Sequence, residues 1–180
     1  EQDIESAQKL ARKYIKDLLE NKISIDDLVI SKSLKSHYND TNKLGNAISK
    51  PAHWHLAQKI KERDPMTAPR SGDRVPYIFI ENNDKNALQK DRVEDPEYAK
   101  KHNIKPDVLY YLEKQIESPL VTLFSVLVKN PKTNEIYPLD HRGEISKECK
   151  KRISELLWEN AKIRKKNQLK GQTQINDWFK

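Results

Sequence analysis

The 180-residue sequence predicts a mainly helical α+β fold. Three observations point there. Apolar residues return at three- and four-residue steps over several long tracts, the period of an amphipathic helix. Two short runs rich in β-branched or aromatic residues, at 28–30 and 75–80, read as strands. Hydrophobic residues make up 36% and charged residues 34%, which leaves a modest core beneath a strongly hydrated surface. The length suits one compact domain or two small ones.

Taken in order, Ile4, Ala7, Leu10, Ala11, Tyr14, Ile15, Leu18 and Leu19 place a helix over residues 3–21, ended by Asn21. Leu28-Val-Ile30 is a short strand with a basic exit at Lys32, and residues 35–50 are a polar loop. The second helix spans 52–63, and Pro65 and Pro69 forbid its continuation. Residues 75–80 form a strand in which Pro76 cannot donate a ladder hydrogen bond, so an edge or the start of the strand is expected. A polar loop at 81–90 leads to a brief strand or turn at 91–96 and a helical turn or two up to His102. The longest apolar pattern, 108–128, contains Pro119, which should kink it or divide it in two. From Ser146 a further helix carries Ile153, Leu156, Leu157, Ala161 and Ile163, and Gly171 is expected to stop it.

Charge narrows the partners. Lys and Arg number 34 against 27 Asp and Glu, a net charge of +7. That balance favours an anionic partner, nucleic acid ahead of a membrane surface, although a lysine-rich surface with no such partner has the same composition. Cys149 is the single cysteine, which excludes a disulfide framework and a thiolate zinc site within the chain and suits a reducing, intracellular compartment. There is no signal peptide and no apolar run of membrane-spanning length, so no membrane partner is implied. A start at Glu1 that leads straight into a helical pattern suggests a piece of a longer polypeptide.

Catalytic chemistry finds little support. The five histidines are scattered, and His53 and His55, at i and i+2, point to different sides of a helix and make a poor chelate. Asp26, Asp27, Asp91, Glu94 and Asp95 are Mg²⁺ ligands only in principle; none lies in an apolar strand–turn context that would place paired carboxylates, and solvated loops account for them better. No metal site and no catalytic residue is assigned. Phosphate binding has more behind it. Residues 51–80 form a cationic helix–turn–strand unit with Lys59, Arg63, Arg70 and Arg74, and Arg92 follows at another strand start. Short fixed backbone there can aim a guanidinium fork at a phosphate, and Gly72 would allow close backbone approach. His53 and Tyr77 would support that surface. The alternative is an Arg74 salt bridge to Asp73, Asp91 or Asp95 that staples the fold, and the two are not exclusive.

The end of the chain has its own signature. Residues 162–170 carry five basic residues and no acidic one, and then Gln172, Ile175, Trp178 and Phe179 fall at spacings that converge on one helical turn. Such an apolar plug is expected to fill a partner's pocket, with docking onto the chain's own core as the alternative.

The stretches KPAHWHLAQKIKERDP, APRSGDRVPYIFI and DRVEDPEYAKKHNIKPDVLYYLEKQIESPL, with DLVISKSL before them, resemble the thumb region of family B DNA polymerases. The likeness runs over roughly residues 10–125 and points to the delta catalytic subunit and its relatives in large DNA viruses. The resemblance implies a thumb with short strands that closes on primer–template duplex DNA. The catalytic carboxylates and their Mg²⁺ would belong to a palm region absent from this sequence, so the segment alone would not polymerise. The tail resembles the box by which replication proteins bind the sliding clamp, with Trp178 where Phe or Tyr is more usual. The cellular delta subunit continues into two cysteine-rich metal modules; a single Cys149 in their place favours a viral relative. The expected division is a thumb over 1–128, a basic helical extension over 129–170 and a clamp-binding tail over 171–180, acting in the nucleus or a viral replication compartment. The expected partners are duplex DNA, the clamp and the remainder of the polymerase. The other reading is a non-catalytic basic DNA-binding module recruited to a sliding clamp, which the sequence upstream of Glu1 would distinguish.

Overall fold

Residues 23–107 and residues 1–22 with 108–180 make two units in the computed structural model. It describes residues 2–178 except 42, 43, 45, 83 and 85, without the side chains of residue 2 and of 172–178. These units follow packing, whereas the expected division into 1–128, 129–170 and 171–180 follows role.

The unit of residues 23–107 is built on a three-stranded antiparallel sheet, β1 (Ile30–Ser33), β2 (Arg74–Phe79) and β3 (Val93–Glu94), in the order β1-β2-β3. Helix α2 (Ala52–Arg63) packs on β2, and the short α3 (Pro96–Lys101) lies near its far end. Leu56, Val75, Ile78, Val93 and Ala99 are almost completely buried and form the core. Pro76 lies on the central strand rather than at a sheet edge. It is tolerated because it faces only Ser31 of β1; β3 begins its pairing at Ile78. The strand expected at 28–30 is displaced. Ile25–Leu28 is a 3₁₀ turn because the Ser24 hydroxyl accepts from the Asp26 N–H, and pairing starts only at Ile30.

In the other unit, α1 (Gln2–Leu19) buries Ile15, Leu18 and Leu19, while Leu10 and Tyr14 remain more than half exposed. Its apolar sequence pattern is therefore wider than its buried stripe. Asn21 ends it in the left-handed region (φ 56°), and the Lys22 N–H returns to the Asp17 carbonyl at 2.8 Å. The pattern at 108–128 becomes α4 (Val108–Tyr111), a π-helical turn (Leu112–Ile116) and α5 (Glu117–Ser125). Pro119 does not mark the break. It sits in the first turn of α5, and the wide turn just before it takes up the interrupted hydrogen-bond ladder. The single helix expected from Ser146 is two, α6 (Lys147–Leu157), capped by Ser146, and α7 (Glu159–Trp178), with Trp158 non-helical between them. Gly171 does not stop α7. It keeps helical backbone, at the modest cost a glycine imposes inside a helix, about 1 kcal/mol relative to alanine.

A candidate nucleic-acid interface

Six of the seven cations and rings proposed from sequence separate into two groups and Arg92 stands apart, all in the unit of residues 23–107. Lys59 and Arg63 lie one turn apart on α2 and face Glu94 of β3. The Arg63 guanidinium donates twice to the Glu94 carboxylate, at 2.8 and 2.6 Å, and the Lys59 ammonium donates to it at 3.1 Å and to the Val93 carbonyl at 2.9 Å. Arg63 also lies 3.8 Å above the centroid of the Tyr98 ring. Glu94 is 2% exposed. Burial pushes its carboxyl pKa up, but hydrogen bonds from Arg63, the Asp95 N–H and Lys59 outweigh that and hold it below the ordinary value. The hydrogen bond to Glu94 correspondingly raises Arg63. Lys59 and Arg63 are thus committed to an internal ion pair, and Glu94, weighed as a possible Mg²⁺ ligand, is its acceptor.

The second group rims the β1–β2 pair. Residues 70–73 form a tight turn: the Asp73 N–H bonds the Arg70 carbonyl at 3.0 Å, and the Asp73 carboxylate accepts from the Arg70 N–H at 2.7 Å. Gly72 occupies the position that demands positive φ (95°), as a side chain there would be strained. Its N–H is donated to the Leu34 carbonyl at 2.8 Å, so the backbone donor expected for a phosphate already has a partner. Leu34 in turn donates to Asp73, which ties the end of β1 to this turn. The Arg70 side chain is exposed and has no ion pair among the described residues. Arg74 makes none of the expected salt bridges to Asp73, Asp91 or Asp95; its guanidinium donates to the Ser31 hydroxyl and carbonyl, each at 3.2 Å, and stays exposed. That contact sets the direction of the fork without neutralising it.

Two further cations complete the rim. Lys32 and Lys35 are exposed on and just after β1, and both act on His53, whose pKa is depressed first by burial and then by these two ammonium groups. The basic exit at Lys32 was the sequence signal for them; the loop at 35–50 concealed Lys35. His53 is hydrogen-bonded to the Tyr38 hydroxyl at 2.8 Å and stacks near Tyr77, ring centroids 6.3 Å apart. Tyr77 itself is 6% exposed and belongs to the core, because strand alternation turns it inward beside Val75. Arg92 lies apart from this rim by role, half-buried, with its Nε–H donated to the Ala87 carbonyl at 3.2 Å.

In the other unit, the basic run of α7 is also divided. Lys162 donates to Glu117 at 2.6 Å and approaches Glu113 at 3.2 Å, and Lys166 lies 2.8 Å from Glu113. Of the clamp-binding residues expected from sequence, Gln172, Ile175 and Trp178 lie on the α7 backbone, but their side chains, and all of Phe179, are outside the described residues. Among the described residues no three His, Cys, Asp or Glu side chains form a metal site, and no helix is long and apolar enough to cross a membrane.

Residues 1–127 match the model of DNA polymerase family B. The DNA polymerase delta catalytic subunit of Dictyostelium discoideum is 42% identical over 131 residues, 73% of this chain and 11% of that protein. The DNA polymerase of Pyramimonas orientalis virus is 32% identical over 197 aligned residues, covering 99% of this chain and 16% of that one. The delta catalytic subunit of Arabidopsis thaliana is 39% identical over 81% of this chain and 13% of its own length. The chain thus spans between about a tenth and a sixth of the curated relatives it matches.

Proposed function

The chain belongs to DNA polymerase family B, and we propose that it is the thumb of such an enzyme, gripping primer–template duplex while nucleotidyl transfer proceeds in other regions. The observation that carries this reading is the match of residues 1–127 to the family B model, beside polymerases of which this chain spans about a tenth to a sixth. The rim of Arg70, Arg74, Lys32 and Lys35 supports it. Four exposed cations, one held by a strand contact and one by a glycine turn, suit a phosphate backbone, which positions a protein on DNA without reading sequence. Lys59 and Arg63 serve the fold, and Tyr77 belongs to the core beneath the rim. The Mg²⁺-dependent step of a DNA-directed DNA polymerase would lie in the palm. The end of α7, through Gln172, Ile175, Trp178 and Phe179, would tether the enzyme to a sliding clamp, in a nucleus or a viral replication compartment.

Duplex binding measured against salt tests the grip. Arg70→Ala and Arg74→Ala should each reduce the slope of log K on log salt by about one, with no change in sequence preference. A lowered melting temperature with an unchanged slope would reduce Arg74 to its Ser31 contact and reject it as a phosphate ligand. Arg70→Ala, which removes no structural contact among the described residues, keeps the test decisive.

A further inference from the structure

A cleft of about 610 Å³ opens between α1, the end of α6 and α7. Leu156 and Ala161 contribute aliphatic surface to it, and Arg12, Lys16, Arg164 and Lys165 bring four cations. Arg12 is fixed by its Nε–H bond to the Leu156 carbonyl at 2.7 Å. Arg164 and Lys165 have no hydrogen bond or ion pair from their side chains among the described residues, in contrast to Lys162 and Lys166 on the opposite side of α7. Of the two carboxylates on the lining, Glu20 pairs with Lys22 outside it at 2.6 Å and lies 3.8 Å from Lys16 on it, and Glu155 lies 3.8 Å from Lys151 and Arg152 outside it. The cleft therefore keeps a positive excess around an apolar floor.

We propose that this cleft is a docking site for an acidic peptide segment of a protein partner, with aliphatic side chains set on Leu156 and Ala161 and carboxylates against Arg164, Lys165 and Arg12. Charge complementarity selects the acidic partner, since guanidinium forks pair carboxylates bidentately. The volume takes a few side chains, within the range of ordinary ligand clefts. A nucleic-acid strand fits less well. The single aromatic residue on the lining, Trp158, is 3% exposed and offers no face for a base. The inference stands apart from the thumb reading, because none of these residues belongs to the β1–β2 rim.

The test is fluorescence anisotropy of the 180-residue chain with a labelled synthetic peptide of Glu-Leu-Leu-Glu repeats, beside the same peptide with Lys for Glu. The acidic peptide should bind saturably. Arg164→Glu combined with Lys165→Glu should weaken it about tenfold or more, and Ala161→Phe, which fills the cleft, should do likewise. Duplex binding through Arg70 and Arg74 should survive Ala161→Phe, which separates failure of this site from failure of the thumb reading. Equal affinity for the two peptides overturns the proposal, as does binding indifferent to the charge-reversed variant. A single-stranded oligonucleotide that displaces the peptide and loses its own affinity in the same variants overturns it too, in favour of a nucleic-acid surface.

Discussion

Glu94 accepts hydrogen bonds from Lys59, Arg63 and the Asp95 N–H while only 3% of its side chain reaches solvent. Its carboxylate form is favoured by folding, so the sign of its pH effect is fixed. With a folded pKa below the ordinary 4.5, the stabilisation is present above that value and is lost as pH falls below it. Glu94→Gln should leave two cations without their counterion. Because Lys59 and Arg63 retain 25% and 35% of their side-chain exposure, the expected cost at neutral pH is about 2–3 kcal/mol, below that of a fully buried pair. Thermal unfolding followed from neutral pH down to about pH 3 should show a smaller acid-induced loss in the variant than in the parent. The residue scale is also where sequence reading divides most clearly. The positions of Arg70 at a glycine turn and of Arg74 at a strand start were legible, because Gly72 and the apolar run after Arg74 mark both in the sequence. The ion pair of Lys59 and Arg63 was not legible because its acceptor lies far along the chain, on a two-residue strand that no periodicity announces.

Among the elements, α2 was legible to the residue because Pro51 precedes it and Asp64-Pro65 closes it. The π turn was not, since the sequence pointed to Pro119 and the wide turn lies ahead of it, at 112–116. That turn places Glu113 opposite Lys162 and Lys166, with Glu117 completing the cluster one turn on. Burial lowers the Lys162 pKa, but the bonds to Glu117 and Glu113 more than restore it, so the ammonium is retained. Glu113→Gln with Glu117→Gln should loosen α7 in particular. Hydrogen exchange should accelerate at amides near Lys162 and Lys166, while those of α6 around Ile153 keep their protection. Because these side chains are partly exposed, the loss of stability should be modest, about 1–2 kcal/mol.

For the whole molecule, the mainly helical α+β class followed from apolar periodicity and two β-rich runs, whereas the split of the last helix at Trp158 did not, because the apolar spacing runs straight through it. A tether at the end of α7 would raise the effective concentration of the DNA grip, not its intrinsic affinity. Ile175→Ala with Trp178→Ala should therefore abolish pull-down of a sliding clamp and leave duplex binding by the isolated chain unchanged; retained pull-down would refute the tether. The π turn has a further consequence, for insertions and deletions. Twelve residues separate the buried Leu112 from the buried Phe124, which in an uninterrupted α-helix would set them about 120° apart. A wide turn absorbs close to one residue and returns both to the same side of the helix, within about 20°. Removing one residue from 112–116 should straighten this segment with both side chains still facing inward, and lower the melting temperature little. Removing one from 120–123 should swing Phe124 about 100° toward water and melt the unit. By that reasoning the π turn works as slack in the chain, the one place along 108–125 where a change of length need not change what faces inward.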